Sequence, residues 1–182
     1  PPRLDSSAAS DVYKRQLQNN SDKILALELT GTFYDQNGEI VGASTYTLPG
    51  YALPGGSSPY ELTMADLLDT VADWSTRVEL ARTSELRAPV YPLVSTGVET
   101  TKEQYQWTVV GNAVNESGQT LRLVTVIAGL REKGTGKLVG LAQNIKAGEF
   151  PPGETIDYSM IIFPDPGFDP AALEEFILLL GE

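Results

Sequence analysis

Two stretches of the chain are versions of one module. Phe33–Gly42 (FYDQNGEIVG), Leu53–Gly56 (LPGG) and Tyr60–Met64 (YELTM) recur as Leu130–Gly140 (LREKGTGKLVG), Pro151–Glu154 (PPGE) and Tyr158–Ile162 (YSMII). Gly42 and Gly140, Gly55 and Gly153, and Tyr60 and Tyr158 are each separated by 98 positions. A period of that length is an internal duplication, and it constrains the architecture before any local reading does. Both copies carry β signals, so the chain is expected to be two copies of one all-β unit.

The local patterns agree. Ile24–Asp35 alternates apolar and polar residues with period two, the mark of a half-buried strand. Asn37-Gly38 follows, a strong hairpin signal because both residues accept positive φ, and Glu39–Leu48 returns as its partner. Pro49–Pro59 is a Pro/Gly/Ser loop. Met64, Leu67, Leu68, Val71 and Trp74 fall at helical spacing behind a Thr63/Asp66 capping box, which predicts a short helix over Thr63–Trp74. Arg77–Arg82 reads as a closing strand. Thr83–Gln104, with Pro89 and Pro92, reads as a linker, part of which could add an edge strand to the second unit. Gln106–Val114, Leu121–Glu132, Lys137–Lys146 and Ile156–Ile162 are strands. The apolar phase slips between Leu123 and Val124, predicting a bulge there. Apolar residues on both faces of the later part of Ile156–Phe163 predict a central strand. Asp169-Pro170 is an N-cap with proline at the first helical position, leading into Phe176–Leu180. Short antiparallel strands with regularly spaced turns make a β-sandwich of each unit.

Ser6–Gln16 (SSAASDVYKRQ) is the codon-for-codon translation of a common transposase sequencing adaptor. Such segments are excluded from fold reasoning. Residues 1–16 are expected to be disordered or poorly packed, the natural sequence to begin near Leu17, and the first sandwich to lack most of its opening strand. Any export signal or lipid anchor then lies in sequence that has been lost. The expected organisation is 17–82 for the first domain, 83–104 for the linker and 105–182 for the second domain.

Composition excludes several functions. The formal charge of the 182-residue chain is −11, which argues against nucleic acid and against docking on anionic lipid. No cysteine and no histidine is present, so disulfides, Cys/His zinc sites and histidine-based triads are ruled out. No apolar run approaches the ~20 residues needed to span a bilayer.

Asn19–Leu25 (NNSDKIL), Thr32–Gly42 (TFYDQNGEIVG) and Leu53–Gly56 (LPGG) resemble the FxLYD domain, a small immunoglobulin-like β-sandwich of bacterial and archaeal extracytoplasmic proteins and lipoproteins. Leu17–Pro59 matches well and Asn112–Tyr158 more weakly. Gly31 replaces the leading aromatic of the signature, and the second copy has Leu130-Arg-Glu132 for Phe-Tyr-Asp. The resemblance implies two tandem immunoglobulin-like antiparallel β-sandwiches, each with a short helix or helical turn before its last strand. It also implies an extracytoplasmic location, and it carries over no catalytic residue and no cofactor.

The candidate chemistry is sparse. Asp35, Asn37 and Glu39 alternate like part of a calcium loop, but they lack the usual distal acidic ligand, and a hairpin turn accounts for them. Asp165, Asp169, Glu174 and Glu175 could pair for acid–base work, although a helix cap and a solvated face explain them as well. Trp74, Trp107, Tyr46, Tyr51, Tyr60 and Tyr158 could form a glycan or peptide platform. Trp107, Tyr60 and Tyr158 sit in strand phase with aliphatics, which favours core packing. Asn19-Asn-Ser21 and Asn115-Glu-Ser117 match glycosylation sequons but read as turns. Tyr51, Glu149 and Phe150, in loops Pro49–Pro59 and Lys146–Glu154, are left as candidate surface-binding residues.

The reading is a non-catalytic extracytoplasmic structural or binding module of a cell-surface protein or lipoprotein. Its partner would be a protein or glycan at the cell envelope, and it would meet the membrane only through a lost N-terminal anchor. The alternative is an accessory domain pair of a larger exported enzyme or transporter.

Overall fold

The computed structural model describes residues 11–64, 74–85, 89–103 and 105–182. Every regular element among them is a β-strand apart from one 3-10 turn, and every strand pair is antiparallel. The helix expected over Thr63–Trp74 lies mostly outside the described residues.

The first half contains β1 (Asp11–Gln18), β2 (Leu25–Asp35), β3 (Ile40–Thr47), β4 (Ser57–Met64) and β5 (Trp74–Glu85). They form two sheets, β1-β4 and β3-β2-β5. Both sheets feed one core of Leu27, Leu29, Phe33, Leu48, Ala52, Tyr60 and Leu62, with Leu17 and Tyr46 at its border. The alternation in β2 is the cause. Leu27, Leu29, Gly31 and Phe33 are buried while their neighbours are half-exposed, as period-two strand geometry requires. Gly31 is small because a Cβ there would sit 2.5 Å from Leu62 Cδ1.

The second half contains β6 (Tyr91–Leu93), β7 (Ser95–Lys102), β8 (Trp107–Val114), β9 (Leu121–Glu132), β10 (Leu138–Phe150), β11 (Thr155–Ile162) and β12 (Leu173–Gly181). Sheets β10-β9-β12-β6 and β11-β8-β7 enclose a core that includes Trp107, Val109, Val124, Val126, Leu130, Ile156, Tyr158, Met160, Ile162 and Leu173. A 3-10 turn at Pro170–Ala172 precedes β12. Asp169 caps it, its carboxylate accepting from Ala171 N at 2.9 Å.

The two halves repeat one pairing scheme. β2 pairs with β3 and β5 as β9 pairs with β10 and β12, and β1 pairs with β4 as β8 pairs with β11. The opening strand expected to be missing from the first half is therefore present, and Asp11–Gln16 lie in it. Pairing runs from Asp11↔Met64 to Gln18↔Ser57 without a break. The free edge of β4 offers a row of backbone donors and acceptors that an extended segment satisfies whatever its side chains. Residues 1–10 lie outside the described residues.

Three other expectations are corrected. The stretch read as linker, with part of it expected to add one edge strand to the second unit, supplies two: β6 pairs with β12, and the β-branched, Thr-rich β7 pairs with β8. The slip at Leu123/Val124 is not a bulge in β9. Residues 124–130 are buried on both faces, and the register irregularities of this pair fall on β10, between Leu138 and Gly140 and between Ala147 and Phe150. Strand β11 is an edge of its sheet, not a central strand. It alternates strictly between buried and exposed, and the outward Ile161 and the following Phe163 stay exposed.

Trp107 is fully buried, yet its indole Nε1 has no hydrogen-bond partner among the described residues. An orphaned buried donor costs about 1–3 kcal/mol. Trp107→Phe removes it while leaving a small cavity, so urea unfolding of this variant should differ from the parent by less than about 1.5 kcal/mol. That is well below the roughly 3–5 kcal/mol of a large aromatic truncation such as Trp→Ala.

Candidate functional site

Three features stand out: a duplicated asparagine knot, the junction between the halves, and a shallow cleft at one end of the second half.

Asn19 and Asn115 each begin the turn after the first strand of their pair. Both are buried. Asn115 Nδ2 donates to Gln119 O at 2.8 Å and Phe150 O at 2.7 Å, and its Oδ1 accepts from Ser117 N and Oγ. Asn19 repeats this with Lys23 O and Ala52 O as acceptors and Ser21 N and Oγ as donors. The backbone joins in, since Asn115 N donates to Glu154 O and Gly153 N donates to Asn115 O. In the first half the corresponding bonds are Asn19 N to Gly56 O and Gly55 N to Asn19 O. Gly55 and Gly153 have positive φ of 66° and 84°, which glycine adopts without a Cβ penalty. Each sequon-like Asn-x-Ser is thus an internal clamp on the Pro-Gly turn. Its amide is fully used and inaccessible to modification in the folded chain.

The junction places the loop after β3 on the outer face of β9 and β12. A Cβ on Gly50 would sit 3.2 Å from Leu180 Cδ1 and 3.4 Å from Thr125 Cγ2. This contact contributes to the outward burial of Thr125 and Leu180, and so to the two-sided burial behind the phase slip in β9. Polar bonds frame it. Tyr51 Oη donates to Glu182 Oε2 at 2.7 Å, Tyr46 Oη donates to Gln143 Oε1 at 3.1 Å, and the buried Lys14 ammonium contacts Asp165 and lies 3.9 Å from Glu61. Between Tyr46, Glu61 and Leu141–Gln143 is a cavity of about 140 Å³. Burial raises the carboxyl pKa of Glu61; the Lys14 charge opposes this and the Asp165 charge adds to it.

Burial, followed by the hydrogen bond to Glu182 and its charge, pushes Tyr51 up to about 12. Burial and then the Glu61 charge push Tyr46 up to about 12. An unfolded tyrosine ionises near pH 10. Between about pH 10 and 12 the folded chain therefore holds protons that the unfolded chain has lost, and stability should fall as pH rises through that window. Phenolate absorbance of the folded protein should show a late-titrating component, reduced in Tyr51→Phe and again in Tyr46→Phe.

The surface-binding candidates do not form one site. Tyr51 is a half-buried junction residue. Glu149 is exposed near the end of strand β10, at the position equivalent to Tyr51. Phe150 packs against the second core, and its carbonyl takes the Asn115 amide. Trp107, Tyr60 and Tyr158 are core residues, and the side chain of Trp74 lies outside the described residues. Asp35 closes its own hairpin. Its carboxylate accepts from Glu39 N at 2.9 Å and Asn37 N at 2.8 Å, and the first of these bonds is the main cause of its lowered pKa. The four acidic residues near the C-terminus are separately engaged: Asp165 by Lys14, Asp169 by the turn, Glu174 by Arg131 at 2.7 Å, and Glu175 by Thr100 and Lys102. Among the described residues no cluster of Asp and Glu could hold a metal ion, and no helix is long and apolar enough to cross a membrane.

Sequence reasoning missed the cleft of about 410 Å³ lined by Pro89, Tyr91, Leu121, Arg122, Leu123 and Glu182, among others. Its walls come from the presumed linker and from the phase-slipped start of β9, so no single stretch of sequence signals it.

No family model matches the chain, and no curated protein matches it. Among solved structures, a glycosyl hydrolase family 2 member from Bacteroides cellulosilyticus is similar over 92% of this chain and 26% of its own, at 9% identity and a TM-score of 0.34. A Bacteroides uniformis β-glucuronidase is similar over 96% of this chain and 26% of its own, at 14% identity and a TM-score of 0.28. The chain spans about a quarter of the length of these proteins. Likeness at these scores says nothing of activity in this chain.

Proposed function

We propose that the chain is a tandem pair of immunoglobulin-like, FxLYD-type sandwiches serving as a non-catalytic structural or binding module outside the cytoplasm. The observation that carries this reading is the duplicated Asn–Pro-Gly clamp together with the covered junction. Each half is a sandwich whose loops are tied internally, and the halves are joined by apolar contact and three side-chain bonds. Such a body holds its ends at a fixed distance and presents loops from a rigid scaffold. The acidic surface keeps it soluble and away from polyanions. Its partner is a protein or glycan of the cell envelope.

The test is to recover the uninterrupted gene and fractionate cells expressing its product. Release with the periplasm, or partition with the envelope, supports the reading. A product confined to the cytosol sinks it. An adjoining catalytic domain in the recovered gene would make the chain an accessory domain pair instead.

A further inference from the structure

A sheet edge invites pairing with another chain unless something blunts it. Three edge strands of the second half are blunted within their own length. Strand β6 has three residues, one of them Pro92. Strand β7 loses register between Thr96 and Glu99, where Gly97 has a φ of 59°. Strand β10 is irregular toward both ends. Strand β11 has none of these devices. Its register with β8 runs unbroken from Thr155↔Val114 to Ile162↔Trp107. Tyr158–Phe163 (YSMIIF) contains no charge, no proline and no glycine, the composition that favours stacking of strands from separate chains.

The direction of the β11 backbone follows from its ladder. Asn115 N donates to Glu154 O, and antiparallel pairs bond at alternate residues. The N–H and C=O groups of Asp157, Ser159 and Ile161 therefore point away from β8, to the outer edge. Ile161 is 49% exposed and Phe163, just beyond, 63%. One side chain reaches this edge from the opposite sheet: the half-buried Lys146 of β10 donates its ammonium to Asp157 O. The position equivalent to Asp157 in the first half, 98 residues earlier, is Pro59, which has no N–H to offer. The two copies thus close the same edge position by different means.

We propose that the outer edge of β11 is a self-association surface held shut by Lys146. Its occupant is β11 of a second copy, antiparallel about a two-fold axis through Ser159. That register sets Asp157 opposite Ile161 of the partner, so no like charges face each other across the new ladder. The pairing is isologous and closes as a dimer. While the ammonium holds Asp157 O, an incoming strand finds that acceptor taken and a charge in its path.

The test is sedimentation of the full chain over a range of concentrations, with amide hydrogen exchange as the second readout. The parent and Lys146→Arg, which keeps the charge, should stay monomeric. Lys146→Met should self-associate about tenfold or more tightly than the parent, and its Ser159 and Ile161 amides should exchange about tenfold more slowly as the dimer fills. Adding Asp157→Pro, the first half's own device, should restore the monomer. Adding Ser159→Lys, an exposed change that sets two like charges opposite on the axis, should do the same without touching the backbone. A Lys146→Met chain no more associated than the parent overturns the proposal. So does association that persists in the Ser159→Lys double variant, or protection that falls on β7 or β10 instead of β11.

Discussion

Asn115→Ala should destabilise the second half by about 3 kcal/mol, among the largest effects of any single polar side chain here. The substitution removes two donated bonds to Gln119 O and Phe150 O and two accepted bonds from Ser117. A net hydrogen bond is worth only ~1 kcal/mol, but a buried acceptor left without a partner costs about 1–3 kcal/mol more. The asparagine is 1% exposed, so water cannot replace it without rearranging the turn. Asn115→Asp should be no better. It keeps the acceptor but turns a buried carboxylate toward two carbonyls. Asn19→Ala should behave alike in the first half. Urea unfolding followed by tryptophan fluorescence in a Trp74→Phe background, which leaves Trp107 of the second core as the reporter, checks the first claim. A loss below about 1 kcal/mol would mean that the knot is redundant with the backbone bonds.

Gly111→Ala should cost about 2–3 kcal/mol, through overpacking of a site that cannot yield. A Cβ there would overlap the Tyr158 hydroxyl and lie 2.7 Å from its Cζ. The ring cannot swing away easily, because Tyr158 is buried and its hydroxyl is bonded to Ser95 Oγ. Gly111→Ala with Tyr158→Phe should recover part of the loss by removing the clashing oxygen. Full additivity of the two changes would show that the glycine is needed for another reason. The equivalent position in the first half holds Arg15, paired with Tyr60, so the requirement comes from how Tyr158 is held rather than from the fold. The same Ser95 bond ties an edge strand to the core, so weakening Tyr158 should also loosen β7.

Features set by local chemistry were readable in the residues. Asn37-Gly38 makes its hairpin, with Gly38 at φ 83°. Asp169-Pro170 makes its capped turn, and the period-two pattern of β2 puts Leu27, Leu29 and Phe33 inside. The constant separation of 98 positions anticipated the shared pairing scheme. What escaped depends on a second segment. Val124–Leu130 carries apolar residues on both faces because its sheet has an inner core and an outer cover, and neither is visible within β9. Val12 and Tyr13 suit a strand, but what makes Asp11–Gln18 one is the edge of β4, distant in sequence. Pro89 and Pro92 suggested a linker because proline interrupts central strands, whereas an edge admits it. Tyr51 lies in a Pro/Gly loop typical of exposed residues, and only the position of Glu182 makes it a junction residue.

The covered outer face of β9 has a further consequence. Thr125 and Ile127, buried there in the second half, correspond to Glu28 and Thr30 on β2, which stay partly wet. The halves share a plan but are not interchangeable: one has an exterior made to be roofed, the other an exterior made for water. A circularly permuted chain that begins at Pro89 and reconnects Glu182 to the opening strand would have to keep this asymmetry, with the second half still beneath the Gly50 loop. A chain that trades the roles of the two halves would leave Ile127 and Leu180 uncovered and bury Glu28. The duplication therefore has a fixed left and right, written in Thr125, Ile127 and Leu180 on the outside of one sheet.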